Sequence, residues 1–366
     1  SALCGIAPTL WFLIAARAVQ GLGAAIMMAL TMAFVGETVP QARVGRAMGL
    51  LGTMSAAGTA LGPSVGGLLI SAFGWQAIFL INVPLGLTIL SLIHRYLPVD
   101  AKRRPVIQPG FDVMGTMLLA ATIAVYALAM TIGRGQFGAH NIGLLVAALL
   151  GLGLFIVAER RAGSPLIRLA LFRHPLLSTS LFMSLLVSTV MMATLVVGPF
   201  YLSRTLGLNA GWLGVVLSIG PLFAALSGIP AGRLVDDVGA RRMTRVGLLG
   251  IAAGCVLLAA IPASVGIAGY IIPIVVLTVG YALFQTANNT VVMMDIPSDQ
   301  RGVISGLLNL SRNLGLITGA SVMGALFTYA SGMTDITTAA PEAVATGMQI
   351  TFAVAGALIL LALVMA

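Results

Sequence analysis

Charged side chains are what this sequence has least of: Asp, Glu, Lys and Arg make up 8% of its 366 residues, where an ordinary soluble protein carries about a quarter. So few cannot cover the surfaces of the two or three soluble domains that the length would otherwise suggest. A soluble enzyme, a disordered chain and a nucleic-acid binder are therefore poor readings, and no nucleic-acid partner is expected. Acids are scarcer still, 10 against 19 Lys and Arg, and none lies in the middle of an apolar run. Cysteine is nearly absent: Cys4 and Cys255 sit in apolar surroundings and offer neither metal-ligand spacing nor a disulfide framework. No metal and no other cofactor is expected. The opening SALCGIAPTLWFLIAA lacks the basic stretch and cleavage motif of a secretory signal. Together with the closing TFAVAGALILLALVMA it reads as a fragment cut at both ends. Apolar types are abundant at 59%, and 44 Gly with 18 Met suit closely packed helices in lipid. The expected fold class is an all-α, polytopic transmembrane helix bundle.

Runs free of Asp, Glu, Lys and Arg delimit eleven expected helices, at about 9–35, 46–72, 75–96, 112–132, 141–158, 176–202, 210–234, 244–261, 267–294, 302–330 and 347–366. The runs 47–94 and 246–294 hold two crossings each, broken at Gly74-Trp75 and at Pro262-Ala263-Ser264. Barrel strands would need polar residues at every second position, a pattern the sequence does not have. Basic residues then set the orientation. One set of alternate loops holds Arg43 and Arg46, Arg95 with Lys102, Arg103 and Arg104, Arg160, Arg161, Arg168 and Arg173, Arg233, Arg241, Arg242 and Arg245, and Arg301. That is 15 of 19, whereas the opposite loops hold only Arg134 and Arg204, and Arg17 and Arg312 fall within spans. The first set is expected in the cytoplasm, residue 1 outside and residue 366 inside. Orientation thus accounts for the net charge of +9, with some attraction to anionic membrane lipids.

Two longer loops, 96–111 and 159–175, divide the chain into a three-helix part over 1–96, an inserted pair over 97–174 and a six-helix part over 175–366. An internal repeat agrees with this division. Shifted by 257 positions, Pro40, Gly45, Gly49, Gly58, Gly62 and Gly67 coincide with Pro297, Gly302, Gly306, Gly315, Gly319 and Gly324. Chance matching in a Gly-rich chain is one reading of this. The other is two related bundles that face each other, as in secondary transporters with a midplane site.

Five groups of residues carry candidate chemistry. Gly58, Gly62 and Gly66, with Gly67 beside them, form a flat helical stripe where another helix can approach closely, and Pro63 removes a backbone hydrogen bond and bends the element. Arg17 is an intramembrane cation with Gln20 one turn away, and Arg312 is another, flanked by Asn309 and Asn313; such charges mark proton or substrate pathways or brace the bundle. Gln285, Asn288 and Asn289 form an uncharged polar cluster and Asn82 adds a donor, for a cavity or for helix–helix adhesion. Trp11, Trp75 and Trp212 read as interfacial anchors. Finally, Gly232, Asp236, Asp237, Gly239, Arg241 and Arg242 lie in GRLVDDVGARR, a turn whose acids can cap a helix or pair with arginines across a closed inner face. It lacks the spacing and Lys of a nucleotide loop. No converging catalytic set is present, so an enzyme is not expected.

Taken together these segments resemble the major facilitator superfamily, and within it the fourteen-helix drug:proton antiporters of bacterial inner membranes. ARAVQGLGAA is similar to that family's Arg-x-x-Gln-Gly helix, with its Arg at Arg17, and GTALGPSVGG is similar to its antiporter motif. WQAIFLINVPLG at 75–86 resembles the helix that follows, GRLVDDVGARR the second cytoplasmic gating loop, and SGLLNLSRNLGLITG the penultimate helix. Asp237 and Ala240 stand where basic residues are usual. The resemblance implies export of hydrophobic or cationic small molecules across the inner membrane in exchange for protons. It further implies an amphiphilic substrate, three helices with an embedded acid upstream of Ser1, and room for a periplasmic adaptor and an outer-membrane channel as partners. A narrower exporter of fatty acids or a secondary metabolite is the alternative, and a non-transporting structural or sensor membrane protein is the alternative of another class.

Overall fold

Each of the eleven apolar runs folds as helix in a computed structural model, which describes residues 1–96, 110, 112–132, 138–297, 300–332 and 340–366, with residues 63, 64 and 210 described by backbone alone. In chain order these are α1 (Ala2–Gly5), α2 (Leu10–Thr38), α3 (Val44–Phe73), α4 (Ala77–Leu80), α5 (Asn82–Tyr96), α6 (Val113–Thr131), α7 (Ala139–Arg161), α8 (Pro175–Phe200), α9 (Ala210–Val238), α10 (Ala240–Ala260), α11 (Ile267–Asp295), α12 (Arg301–Ala330) and α13 (Pro341–Met365). No strand occurs among the described residues. Among the described residues ten helical segments are long and apolar enough to cross a membrane, α4 and α5 counting as one, and bent α3 makes eleven. In α3 the segments Gln41–Gly62 and Val65–Phe73 meet at 41°, at the position of Pro63.

Helix starts follow side chains that accept the first free N–H groups. The Thr9 hydroxyl accepts from Phe12 N–H at 3.2 Å, Asp112 from Gly115 N–H at 2.8 Å, and Asn209 from Trp212 N–H at 3.0 Å. Gly239, at φ +102°, turns α9 directly into α10, a conformation that favours glycine. The loop residues Lys102, Arg103, Arg104 and Arg134, and most of the 96–111 linker, lie outside the described residues.

The largest core belongs to α8–α13, where Leu248, Ile251, Leu258, Leu277, Met323, Phe327, Phe352 and Ile359 are fully buried. Small residues set the closest approaches there. A Cβ on Gly315 would meet Ser188 at 2.8 Å and one on Gly254 would meet the Leu277 backbone at 2.9 Å. The Thr189 hydroxyl also donates to Gly315 O at 3.1 Å, tying α8 to α12. α6 and α7 pack on each other, and Asn141 clasps their shared end by donating to Ala129 O at 2.7 Å. The pair is fastened to α12, where Tyr126 bonds Thr318 and the Ser321 hydroxyl donates to Met130 O. α2 lies against α12, with the Ser305 hydroxyl donating to Ala29 O at 2.7 Å and Arg301 to Gly36 O. α3 lies against α9 and α11.

Candidate functional site: a cavity between helices sealed at its basic end

α2 and α3 from the first part of the chain meet α8, α9, α11 and α12 around a cavity of about 550 Å³. Its wall is mainly apolar, and five methionines contribute to it: Met27, Met28, Met32, Met48 and Met191. Thioethers are flexible and polarizable, and a surface of this kind can repack around ligands of different shape. Polar groups are interspersed. Gln285 and Asn289 reach it from α11, and Asn309 and Arg312 from α12. Asn309 is held in place by donating to Ser305 O at 3.0 Å and lies 3.4 Å from the Met32 sulfur.

Three other expected cavity residues, and the expected pathway residue Arg17, lie elsewhere, each for a geometric reason. Asn288 sits about 100° round the helix from Asn289; it is buried and donates to Ser180 O of α8 at 3.4 Å. Asn313, one position past Arg312, is exposed and donates to Asn309 O at 2.8 Å. Asn82 donates to Ile78 O at 3.1 Å one turn back on the chain. Arg17 does not line the cavity. It donates to Gln20 Oε1 at 2.8 Å and stacks over the Phe79 ring at 5.3 Å, while Gln20 donates to the Ser1 hydroxyl at 2.7 Å. The Arg17–Gln20 pairing expected from one-turn spacing is present, in a group with α1 and α4.

At the end of the bundle where α3 begins and α9 ends, here called the basic end, the two helices cross at backbone contact. A Cβ on Gly45 would lie 2.8 Å from Gly232 O, and one on Gly228 would lie 2.7 Å from Gly49 O. Asp236 closes the crossing. Its side chain, 3% exposed, accepts from Gly45 N–H at 2.7 Å and Arg46 N–H at 3.0 Å, and pairs with Arg46 Nε at 3.4 Å. The carboxylate thus caps the N-terminus of α3, where free N–H groups and the helix dipole favour an anion. Asp237, 66% exposed, reaches Arg46 Nη2 at 3.6 Å. Of the residues expected in the gating loop, Asp236 and Asp237 therefore meet an arginine of α3, while Arg241 and Arg242 are exposed at the start of α10.

The glycine stripe behaves differently. A Cβ at Gly58, Gly62, Gly66 or Gly67 would find no atom within 4 Å among the described residues, so they make no close helix crossing there. Thr59 and Ser55, on the same stretch of α3, line the cavity instead. The crossing that is made uses Gly45 and Gly49 with Gly228 and Gly232, of which the sequence marks Gly45 and Gly49 only as repeat positions and Gly232 only as part of the gating loop. Their signal was the same small-xxx-small spacing.

Comparison with known proteins gives the family of the fold. The family model described as Major Facilitator Superfamily matches residues 1–320. The Escherichia coli (strain K12) protein called uncharacterized transporter YebQ is 31% identical over 96% of this chain and 78% of its own length. Multidrug resistance protein Stp of Mycobacterium tuberculosis is 30% identical over 89% of this chain, which spans only 60% of Stp. Riboflavin transporter RibZ of Clostridioides difficile is 27% identical over 89% of this chain and 70% of its own. Among solved structures, the human organic anion transporter MFSD10 shares the fold, with a TM-score of 0.67 at 18% identity over the whole of this chain and 73% of that one. With the family model matched over most of its length, and a cavity set between its packed helices, this chain belongs to the Major Facilitator Superfamily.

Proposed function

We propose that the chain is the greater part of a secondary exporter of hydrophobic small molecules, driven by inward proton movement and akin to the drug:proton antiporters. The observation that carries this reading is the cavity itself: it is lined by helices from two separate parts of the chain and lies beyond a crossing sealed by one acid. Reading the basic end as cytoplasmic, the arrangement has its inner side closed. Export then requires the α3–α9 crossing to open to the cytoplasm and to close again once substrate has been taken up. Protons and substrate would bias that equilibrium in opposite directions. Names of relatives support the class, since Stp is called a multidrug resistance protein. A narrower solute is the second reading, favoured by the relative called a riboflavin transporter.

The test is uptake into inverted membrane vesicles carrying the full-length protein, with neutral, anionic and cationic amphiphilic fluorophores supplied in turn and lumenal pH followed by a second dye. Uptake that depends on an acidic lumen and releases lumenal protons is the expected result. Uptake indifferent to the proton gradient would remove antiport. Absence of uptake for every fluorophore would leave the multidrug reading without support.

A further inference from the structure

The described part of the cavity wall carries charge of one sign. Of the residues lining it, only Arg312 is ionic. It stands on α12 about 16 Å along the axis from the helix start, close to half the thickness of a bilayer's hydrocarbon core. Its Nε is buried without a hydrogen-bond partner, and no carboxylate among the described residues pairs with it. The described acids of the neighbouring helices are placed elsewhere: Asp236 and Asp237 pair with Arg46 and Asp295 with His174 at 3.5 Å, Glu37 is engaged in the last turn of α2, and Glu342 is exposed in the first turn of α13. Asp112 and Glu159 face each other across Gly115, between α6 and α7. A guanidinium is a permanent cation with a fork of donors, and in a site walled by methionine and other apolar groups its charge calls for a counter-charge. The amides of Gln285, Asn289 and Asn309 can donate or accept, so they leave the sign of the preference to Arg312.

We propose that this cavity selects amphiphilic anions, molecules with an apolar body and a carboxylate, phosphate or sulfonate head that pairs with Arg312, and disfavours cations. The proposal rests on reading the cavity as the substrate site. An anionic head would meet a half-buried guanidinium able to hold two of its oxygens at once. A cationic head would meet a like charge, and a neutral amphiphile would gain only apolar burial. Because the methionine wall adapts to shape, the head group would decide between ligands more than the body does. Such a preference departs from the cationic substrates that the family resemblance implies.

Three probes with one apolar body test this: pyrenebutyrate, pyrenebutanol and pyrenebutyltrimethylammonium. Their binding to the full-length protein in a neutral detergent is followed by fluorescence anisotropy at about pH 7.5, where the carboxylate is ionised. The expected order is anion, neutral, cation, with the anion bound about tenfold or more tighter than the cation, the scale of one charge-assisted hydrogen-bonded pair. Arg312→Gln should lower the anion's affinity about tenfold relative to the neutral probe, Arg312→Lys should keep the order with a smaller spread, and Arg312→Glu should reverse it. Equal or tighter binding of the cation by the parent overturns the proposal, as does an unchanged order in Arg312→Gln. Should that variant fail to accumulate, the parent and Arg312→Lys series decides alone. Binding of none of the probes removes the cavity as a substrate site and the proposal with it. Anion-selective binding without proton-driven uptake keeps the selectivity and sinks only the transport reading. Displacement of the anion by phosphatidylglycerol and not by phosphatidylcholine assigns the natural anion to a lipid head group, and insensitivity to both assigns it to a soluble amphiphile. Equal displacement by both overturns selection by charge.

Discussion

Asp236 serves two groups that a helix cannot satisfy by itself, the N–H groups of Gly45 and Arg46 in the first turn of α3. Hydrogen bonds to a charged acceptor are worth about 1.5–3 kcal/mol, and this carboxylate is buried. Asp236→Ala should therefore destabilise the sealed crossing by roughly that much. Asp237→Ala should change little, because an exposed pair at 3.6 Å contributes about 0–1 kcal/mol. The measurement is the labelling rate of a cysteine placed at Thr59 by an impermeant maleimide applied from the basic side: faster in Asp236→Ala, unchanged in Asp237→Ala. Equal rates in the two variants would remove Asp236 as the closing residue. At this scale the sequence was legible in part. GRLVDDVGARR announced two acids beside a turn, and the possibility of capping or pairing across an inner face followed from chemistry. Their partners did not, because Gly45 and Arg46 lie about 190 residues away and only packing brings them near. Arg312 and Arg17 looked alike as lone charges in apolar runs, yet one faces the cavity and the other is answered by Gln20 and Phe79.

Among the helices, α3 separates two uses of glycine. Its first half is pressed against α9, where Gly49 and Gly228 leave no room for a side chain, while Gly58, Gly62 and Gly66 in its second half touch nothing. Gly49→Leu should thus prevent the crossing from closing, leaving a protein that accumulates in the membrane with its cavity reachable from the basic side. Gly62→Leu should fit the sealed state without strain. If the stripe is a contact of the opposite state, Gly62→Leu should hold the protein in the sealed state and stop turnover. Gly315→Leu is different in kind, since its side chain would enter the α8–α12 contact within one core and should lower yield by overpacking. Yield in detergent together with Thr59→Cys labelling distinguishes the three; a poorly accumulating Gly49→Leu with a well-folded Gly315→Leu would invert the assignment. Helix number and approximate ends were legible because lipid demands long apolar runs and loops collect the charge. Which glycine stripe finds a partner was not. A stripe states only what a helix offers, and the glycine pairs of α3 and α9 became distinguishable from the others once the two helices were seen together.

Across the molecule, the two ends of the bundle differ in charge, in closure and, on the positive-inside reading, in the compartment they face. Arg204 is exposed on the turn of π-helix Tyr201–Thr205 that ends the α8 span, and Arg241 is exposed in the first turn of α10. Between them the chain makes one full crossing, α9, so they must lie on opposite faces if α9 spans the membrane. Cysteines at the two positions should label from opposite sides of sealed vesicles, Arg241→Cys from the cytoplasmic side and Arg204→Cys from the outer side. A cysteine at Thr59 supplies the third reading. It lines the cavity beyond the Gly49–Gly228 contact, so in the sealed state it should react from the same side as Arg204→Cys. Combined with Asp236→Ala or Gly49→Leu, it should gain reactivity from the side of Arg241→Cys, because both changes act on the seal and neither touches the cavity wall around Thr59. Labelling of Arg204→Cys and Arg241→Cys from one side would break the span assignment of α9. Opposite labelling of these two, with Thr59→Cys indifferent to both seal variants, would leave the topology standing and show that the α3–α9 crossing is a fixed joint and not the gate that export requires.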